Sequence, residues 1–190
     1  MKLAFVVPTI GRPSLIRTLN SIKSQMQPQD ILAVVADGFV NETQKLLESA
    51  QIKPDRMWTF PRRHGDWGHT PRNKAFAEID GDFILTLDDD DAYLEGAIDA
   101  IRTRLAESEP TPHMFKMYWR GRQTLWEHPN VAERNVSTQM IVTPNVKSKL
   151  GTWGSRYQGD FDYCVSLQKN WGKIIWCPEI IVRYGPDPVG

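Results

Sequence analysis

Residues 3–7 form an unbroken apolar run (Leu3-Ala4-Phe5-Val6-Val7), the pattern of a strand covered on both faces. A turn-forming stretch follows, and Pro13 suits the first turn of a helix predicted over about 14–25, with Leu15, Leu19 and Ile22 on one face. A second buried strand is predicted over 31–35, ending at Ala36-Asp37-Gly38, and Asn41 can cap a second helix containing Leu46 and Leu47. A short strand is expected over 56–60, then a polar, glycine-containing loop over 61–70. Pro71 opens a third helix, Asp80-Gly81 turns the chain, and residues 83–87 make a fourth strand that runs straight into Asp88-Asp89-Asp90-Asp91. A helix over about 94–107 closes this half.

The second half patterns differently. Residues 115–119 and 138–142 read as strands, residues 163–169 as a helix preceded by Gly159-Asp160-Phe161-Asp162. Two short apolar runs, 174–176 and 180–182, are divided by Cys177-Pro178-Glu179, and residues 185–190 read as a poorly ordered tail. Repeated strand–helix–strand units predict an α/β fold with a mostly parallel sheet and helices on both faces. In such sheets ligands bind beyond the carboxyl ends of the strands. Asp37, the loop after Phe60 and the aspartate run all fall there.

Composition adds little to that outline. Across 190 residues, hydrophobic types make up 41% and charged types 24%, which fits one soluble globular domain. Basic and acidic residues are 23 each, so the zero net charge gives no footprint for nucleic acid or an anionic surface. Arg62-Arg63 and Arg120-Gly121-Arg122 are local basic candidates, more simply read as solvated arginines. Cys164 and Cys177 have no metal-ligating spacing and read as buried free thiols in a reducing compartment. No apolar run approaches the ~20 residues that span a bilayer. The expectation is a cytoplasmic protein without a transmembrane segment.

The aspartate run carries the strongest chemical signal. Adjacent carboxylates repel unless solvent or a cation relieves them, and Mg²⁺ or Mn²⁺ takes such oxygens together with phosphate. On an extended segment, Asp88 and Asp90 would face one ligand while Asp89 and Asp91 face elsewhere. Pro8, Thr9, Gly11 and Arg12 offer a loop that lets a flat ligand approach closely, although many loops share that composition. Asp37 can accept hydrogen bonds from a base or ribose, or simply form a turn. Gly68 and Arg72 flank a helix N-terminus suited to anions; Arg72 serves either a ligand or the aspartates. Neither a dinucleotide fingerprint nor a phosphate-binding P-loop is present.

In order, Val7-Pro8-Thr9, Ala36-Asp37-Gly38, Pro71-Arg72-Asn73-Lys74-Ala75, Leu87-Asp88-Asp89-Asp90-Asp91 and Gly159-Asp160-Phe161-Asp162 resemble the inverting glycosyltransferases of family 2. The resemblance covers residues 3–110 well and 150–184 more loosely. It implies a GT-A (Rossmann-like) three-layer sandwich in a single domain over 1–184, with a nucleotide-sugar half over about 1–110 and an acceptor half over about 111–184. It implies that Thr9, Asp37 and Arg72 line the nucleotide pocket, and that Asp88 and Asp90 form the DxD pair holding Mn²⁺ or Mg²⁺. Asp160 would be the general base, with Asp162 its competitor, although the local sequence by itself slightly favours Asp160 as a helix cap. The departures are Gly159, where the family keeps glutamate, and a short C-terminal part lacking a metal-binding histidine after Tyr184. Lone loop histidines such as His69 read as exposed. Trp67, Trp126 and Trp153 could stack on a sugar or base, or pack in the core.

The implied partners are a nucleoside-diphosphate sugar, UDP-sugar favoured, and an acceptor that could be a glycan, a lipid-linked sugar, a protein or modified DNA. A homo-oligomer is left open. A nucleotidyltransferase and a non-catalytic nucleotide-sugar or glycan-binding module are the competing readings.

Overall fold

The structure is a computed structural model describing residues 1–119 and 123–185. Arg120 and Arg122 of the candidate basic patch lie outside the described residues, as do residues 186–190 of the expected tail.

The first half follows the apolar pattern closely. Strands β1 (Leu3–Thr9) and β2 (Ile31–Asp37) are buried at every position. They pair in parallel with each other, β1 with β4 (Phe83–Thr86) and β2 with β3 (Arg56–Phe60). Helices α1 (Leu15–Lys23), α2 (Val40–Ser49) and α3 (His69–Glu78) make the crossovers. The β1–β4 register ends at Val6 and Thr86, so the N–H that Pro8 lacks is not needed on that side.

The chain then forms a short strand β5 (Ala92–Tyr93), helix α4 (Ala97–Ala106), strand β6 (His113–Trp119) and a hairpin partner β7 (Gln123–Leu125). Strand β8 (Ile141–Pro144), helix α5 (Gly159–Trp171) and strand β9 (Ile175–Arg183) complete it. Among the described residues one nine-stranded sheet runs β3-β2-β1-β4-β8-β6-β9-β5, with β7 on β6. β8 is antiparallel to both β4 and β6 and joins the two halves, while β6 and β9 are parallel. The fold is therefore mixed α/β in a single domain, with the parallel portion concentrated in the first half.

Several expected boundaries moved for identifiable reasons. The second helix is entered from Phe39, in the left-handed region at φ 42°, and not from Asn41. The third begins at His69, with Pro71 inside its first turn. The predicted strand over 138–142 is a 3₁₀ turn at Thr138–Met140 followed by β8, because residues 137–139 spend their polar groups on carboxylates described below. The two apolar runs around Cys177-Pro178-Glu179 are one strand. Met114 pairs with Trp176 and Lys116 with Ile180, so those three residues bulge opposite Phe115, and the bulge accommodates Pro178. Both cysteines are free and buried, as expected; burial pushes the Cys177 thiol up to about 12.

Candidate active site

A cleft of about 730 Å³ opens at the carboxyl ends of β1, β2 and β4. The size suits a nucleotide-sized ligand. Pro8, Thr9, Arg12 and Asp37 line one wall, Gly68 and Arg72 the floor near α3, and Asp88, Asp89, Asp90 and Asp160 the interior. Of the first-loop residues singled out from the sequence, Gly11 is absent from the lining. It sits in the turn behind the cleft, where its N–H donates to Thr9 Oγ1 at 3.0 Å.

The aspartate run is a turn, not a continuation of β4. The Asp91 N–H donates to the Asp88 carbonyl at 3.1 Å, so the alternation expected of an extended segment does not apply. Asp91 is brought to the same place as Asp88 and Asp90: one ligand atom from each lies within 4.8 Å of the others. Gln139 ties the two ends of the turn, its Nε2 donating to Asp88 Oδ2 at 2.5 Å and to Asp91 Oδ2 at 2.9 Å. The Gly185 N–H donates to Asp91 Oδ1 at 2.8 Å.

Asp89 does a different job. It is 4% exposed and collects the first loop. Thr9 Oγ1 (2.7 Å) and the Ile10 N–H (3.2 Å) donate to one oxygen, and Arg12 Nη1 (3.0 Å) to the other. Arg12 also pairs with Asp90 at 2.7 Å. Arg72 is 1% exposed, and its guanidinium binds Asp88, the Thr86 hydroxyl and the Trp67 carbonyl. Glycine suits position 68, in the left-handed region at φ 83°, where a Cβ would be strained and would crowd Arg72 Nη1 at 3.0 Å and Pro8 at 3.3 Å.

Burial and crowding shift these carboxyls. Burial, reinforced by the Asp160, Asp90 and Asp89 charges and opposed by Arg72, pushes Asp88 up to about 6. Burial and the Asp88 charge push Asp91 up to about 8. Burial also raises Asp89, against the Thr9 and Arg12 hydrogen bonds. Such gathered carboxyls favour a hard cation. The three-aspartate group supplies only oxygen donors, and Asp88 and Asp90 line the cleft with the buried Asp91 beside them, so its residues fit Mn²⁺ or Mg²⁺.

Asp160 stands in the first turn of α5. It does not cap that helix through its side chain. Its oxygens take three donors from the 3₁₀ segment instead: Ser137 Oγ (2.9 Å), the Thr138 N–H (3.2 Å) and Thr138 Oγ1 (2.9 Å). Asp162 does not line the cleft; it is ion-paired with Arg156. Asp37 is 3% exposed, and its carboxylate receives the His64 N–H at 3.1 Å and contacts His64 Nδ1 at 2.6 Å.

His69, expected to be exposed, is buried at 3%. A Cβ on Gly159 would lie 2.2 Å from His69 Cε1, so the imidazole occupies the space that a side chain at 159 would need. Burial and the Arg72 charge hold its pKa below the ordinary value. Gln139, Ser137, Thr138 and His64 gave no sequence signal of their own; for His69 the unusual Gly159 is a signal the sequence reading did not connect to it. Trp153 is core, stacked on Tyr163 at 3.7 Å. Trp126 packs edge-on against Trp176 and under Lys116. Trp67 faces the cleft, 56% exposed. Of the basic candidates, Arg62 and Arg63 are exposed, and Arg63 lines the cleft.

A family model described as "Glycosyl transferase family 2" matches residues 4–150. The chain belongs to glycosyl transferase family 2. The GalNAc(5)-diNAcBac-PP-undecaprenol beta-1,3-glucosyltransferase of Campylobacter jejuni subsp. jejuni serotype O:2 is 28% identical to this family 2 chain over 116 residues, 60% of this chain and 37% of that one. S. aureus TarS 1-349 has the same fold at a TM-score of 0.80 and 20% identity, covering 97% of this chain and 60% of its own. TarS 1-349 in complex with UDP-GlcNAc matches at a TM-score of 0.79 and 19% identity, over 100% and 60%. The mannosyltransferase PcManGT from Pyrobaculum calidifontis, in complex with GDP-Man and Mn²⁺, matches at 0.74 and 15% identity, over 98% and 58%. The fold is thus GT-A. This family 2 chain spans 37% of that curated relative's length and about 60% of these solved chains. Among its described residues no helix is long and apolar enough to cross a membrane.

Proposed function

We propose that this chain is an inverting, metal-assisted glycosyltransferase that moves a sugar from a nucleoside-diphosphate sugar, UDP-sugar favoured, to an acceptor hydroxyl. The observation that carries this reading is one cleft lined both by Asp88 and Asp90, with the buried Asp91 beside them, and by the separately anchored carboxylate of Asp160. The named complexes of TarS with UDP-GlcNAc and of PcManGT with GDP-Man and Mn²⁺ support a nucleotide-sugar donor in this fold.

Thr9 and Asp37, at the ends of β1 and β2, take the nucleoside end of the donor, and the Arg12 and Arg72 guanidiniums hold the aspartate turn beside its diphosphate. When bound, Mn²⁺ or Mg²⁺ would be held by Asp88, Asp90 and Asp91 and would supply positive charge to the departing diphosphate. Asp160 takes the proton of the acceptor hydroxyl as that oxygen bonds to the anomeric carbon; the carbon–oxygen bond to the diphosphate breaks, and the nucleoside diphosphate leaves with the electron pair. A single displacement inverts the anomeric centre. The donors from Ser137 and Thr138 fix the Asp160 carboxylate, which favours proton transfer by orientation.

Calorimetric titration of UDP and GDP, with Mn²⁺ and then with EDTA, tests the donor site. Binding should need the metal and weaken at least about tenfold, or 1.4 kcal/mol, in Asp90→Ala. Asp160→Asn should keep that binding and lose turnover by about 10²-fold or more. Failure of both nucleotides to bind under any condition would refute the reading.

A further inference from the structure

Two of the most exposed aromatic side chains of the molecule meet at the rim of this cleft. Trp67 is 56% exposed and Tyr157 68% exposed. Their ring centroids are 5.3 Å apart at an interplanar angle of 78°, and both line the cleft. They come from different parts of the chain, the loop before α3 and the loop before α5. Large aromatic surface gathered in water at a cleft mouth marks a ligand contact.

The backbone also holds Trp67 out at some cost. Trp67 has φ 58°, a left-handed conformation that bulky residues rarely adopt, between Gly65 at 73° and Gly68 at 83°. Its carbonyl accepts Arg72 Nη1 at 2.8 Å, and Arg72 is the buried partner of Asp88. The rim is therefore tied to the carboxylate turn. It is also next to Asp160: the Trp67 ring lies 6.0 Å from that of His69, which packs on Gly159.

We propose that Trp67 and Tyr157 form a platform for a sugar ring of the acceptor, so that the acceptor is a carbohydrate. This rests on the transferase reading above and supplies its missing substrate class. A pyranose offers an apolar C–H face to an aromatic ring and a rim of hydroxyls to polar neighbours. Glu133, Arg134 and Gln158 line the same cleft and provide such neighbours. A lipid chain would call for continuous apolar surface, which these residues interrupt. In the donor reading the nucleoside is already assigned to Asp37 and Thr9.

The test is a glycan array probed with labelled protein in UDP and Mn²⁺, followed by titration of the best glycan into wild type, Trp67→Ala, Trp67→Phe and Tyr157→Ala, with UDP calorimetry in parallel. Trp67→Ala should bind the glycan about tenfold or more weakly, Trp67→Phe close to wild type, and UDP affinity should stay within about twofold. If Trp67→Ala fails to fold, Tyr157→Ala reads the other half of the platform. Glycan affinity unchanged in both alanine variants, or no glycan retained by a wild type that binds UDP, overturns the platform. Glycan retention that depends on Trp67 in a protein that does not bind UDP leaves the platform standing and sinks the donor reading.

Discussion

Asp91 combines complete burial with a neighbouring like charge, and stability should record it. The side chain is fully buried, and burial with the Asp88 charge pushes it up to about 8, Asp88 itself to about 6. Both exceed the ordinary aspartate value near 3.8. The metal-free folded state therefore binds more protons than the unfolded chain between about pH 4 and 8, and stability falls as pH rises through that window. Melting temperature measured in EDTA should drop from pH 5 to pH 8. If the aspartate group takes Mn²⁺ as proposed, the ion added at pH 8 should restore it, because a ligand of the folded state alone stabilises that state, and Asp91→Asn should flatten the slope. The sequence pattern puts Asp88 and Asp90 on one side, as the structure does, but turns Asp91 away from them, whereas the turn brings it back. Side-chain alternation holds for strands, and nothing in four identical residues announces that they form a turn. Asp88, Asp90 and Asp160 were legible because a strand or helix start delivers them to the cleft. Gln139, Ser137 and Thr138 were not, because they act through contacts far away in sequence.

At the level of elements, α3 and α5 meet closely where His69 lies against Gly159, with Phe76 edge-on to Tyr163 further along. Gly159 has no side chain where the His69 ring sits, so any Cβ there must displace the imidazole or the helix start. Gly159→Ala should destabilise by about 1–3 kcal/mol in urea unfolding. His69→Ala in the same chain should recover most of that loss, a non-additivity expected of residues in contact. Equal losses with and without His69 would show that the ring yields freely. The elements themselves were largely visible beforehand. Continuous apolar runs mark β1, β2 and β4, whose burial on both faces removes ambiguity. Segment 138–142 was misread because apolar content alone cannot report that polar side chains are engaged elsewhere. The bulge at Cys177-Pro178-Glu179 hid the continuity of β9, since proline ordinarily ends a strand.

For the whole molecule, β8 decides how the halves behave. It pairs antiparallel with β4 on one side and β6 on the other, so the N-terminal and C-terminal portions share one sheet and one hydrophobic core. Urea unfolding followed by tryptophan fluorescence and by far-ultraviolet circular dichroism should give coincident single transitions. Separate midpoints would show that the halves melt independently. Immediately before β8, three successive residues hold the two acidic centres of the cleft: Ser137 and Thr138 grip Asp160, while Gln139 grips Asp88 and Asp91. That tripeptide acts as a caliper. The spacing between the Asp160 carboxylate and the Asp88–Asp91 turn is set by backbone length and not by a ligand, so lengthening the segment by one residue would leave each carboxylate intact and still shift one against the other.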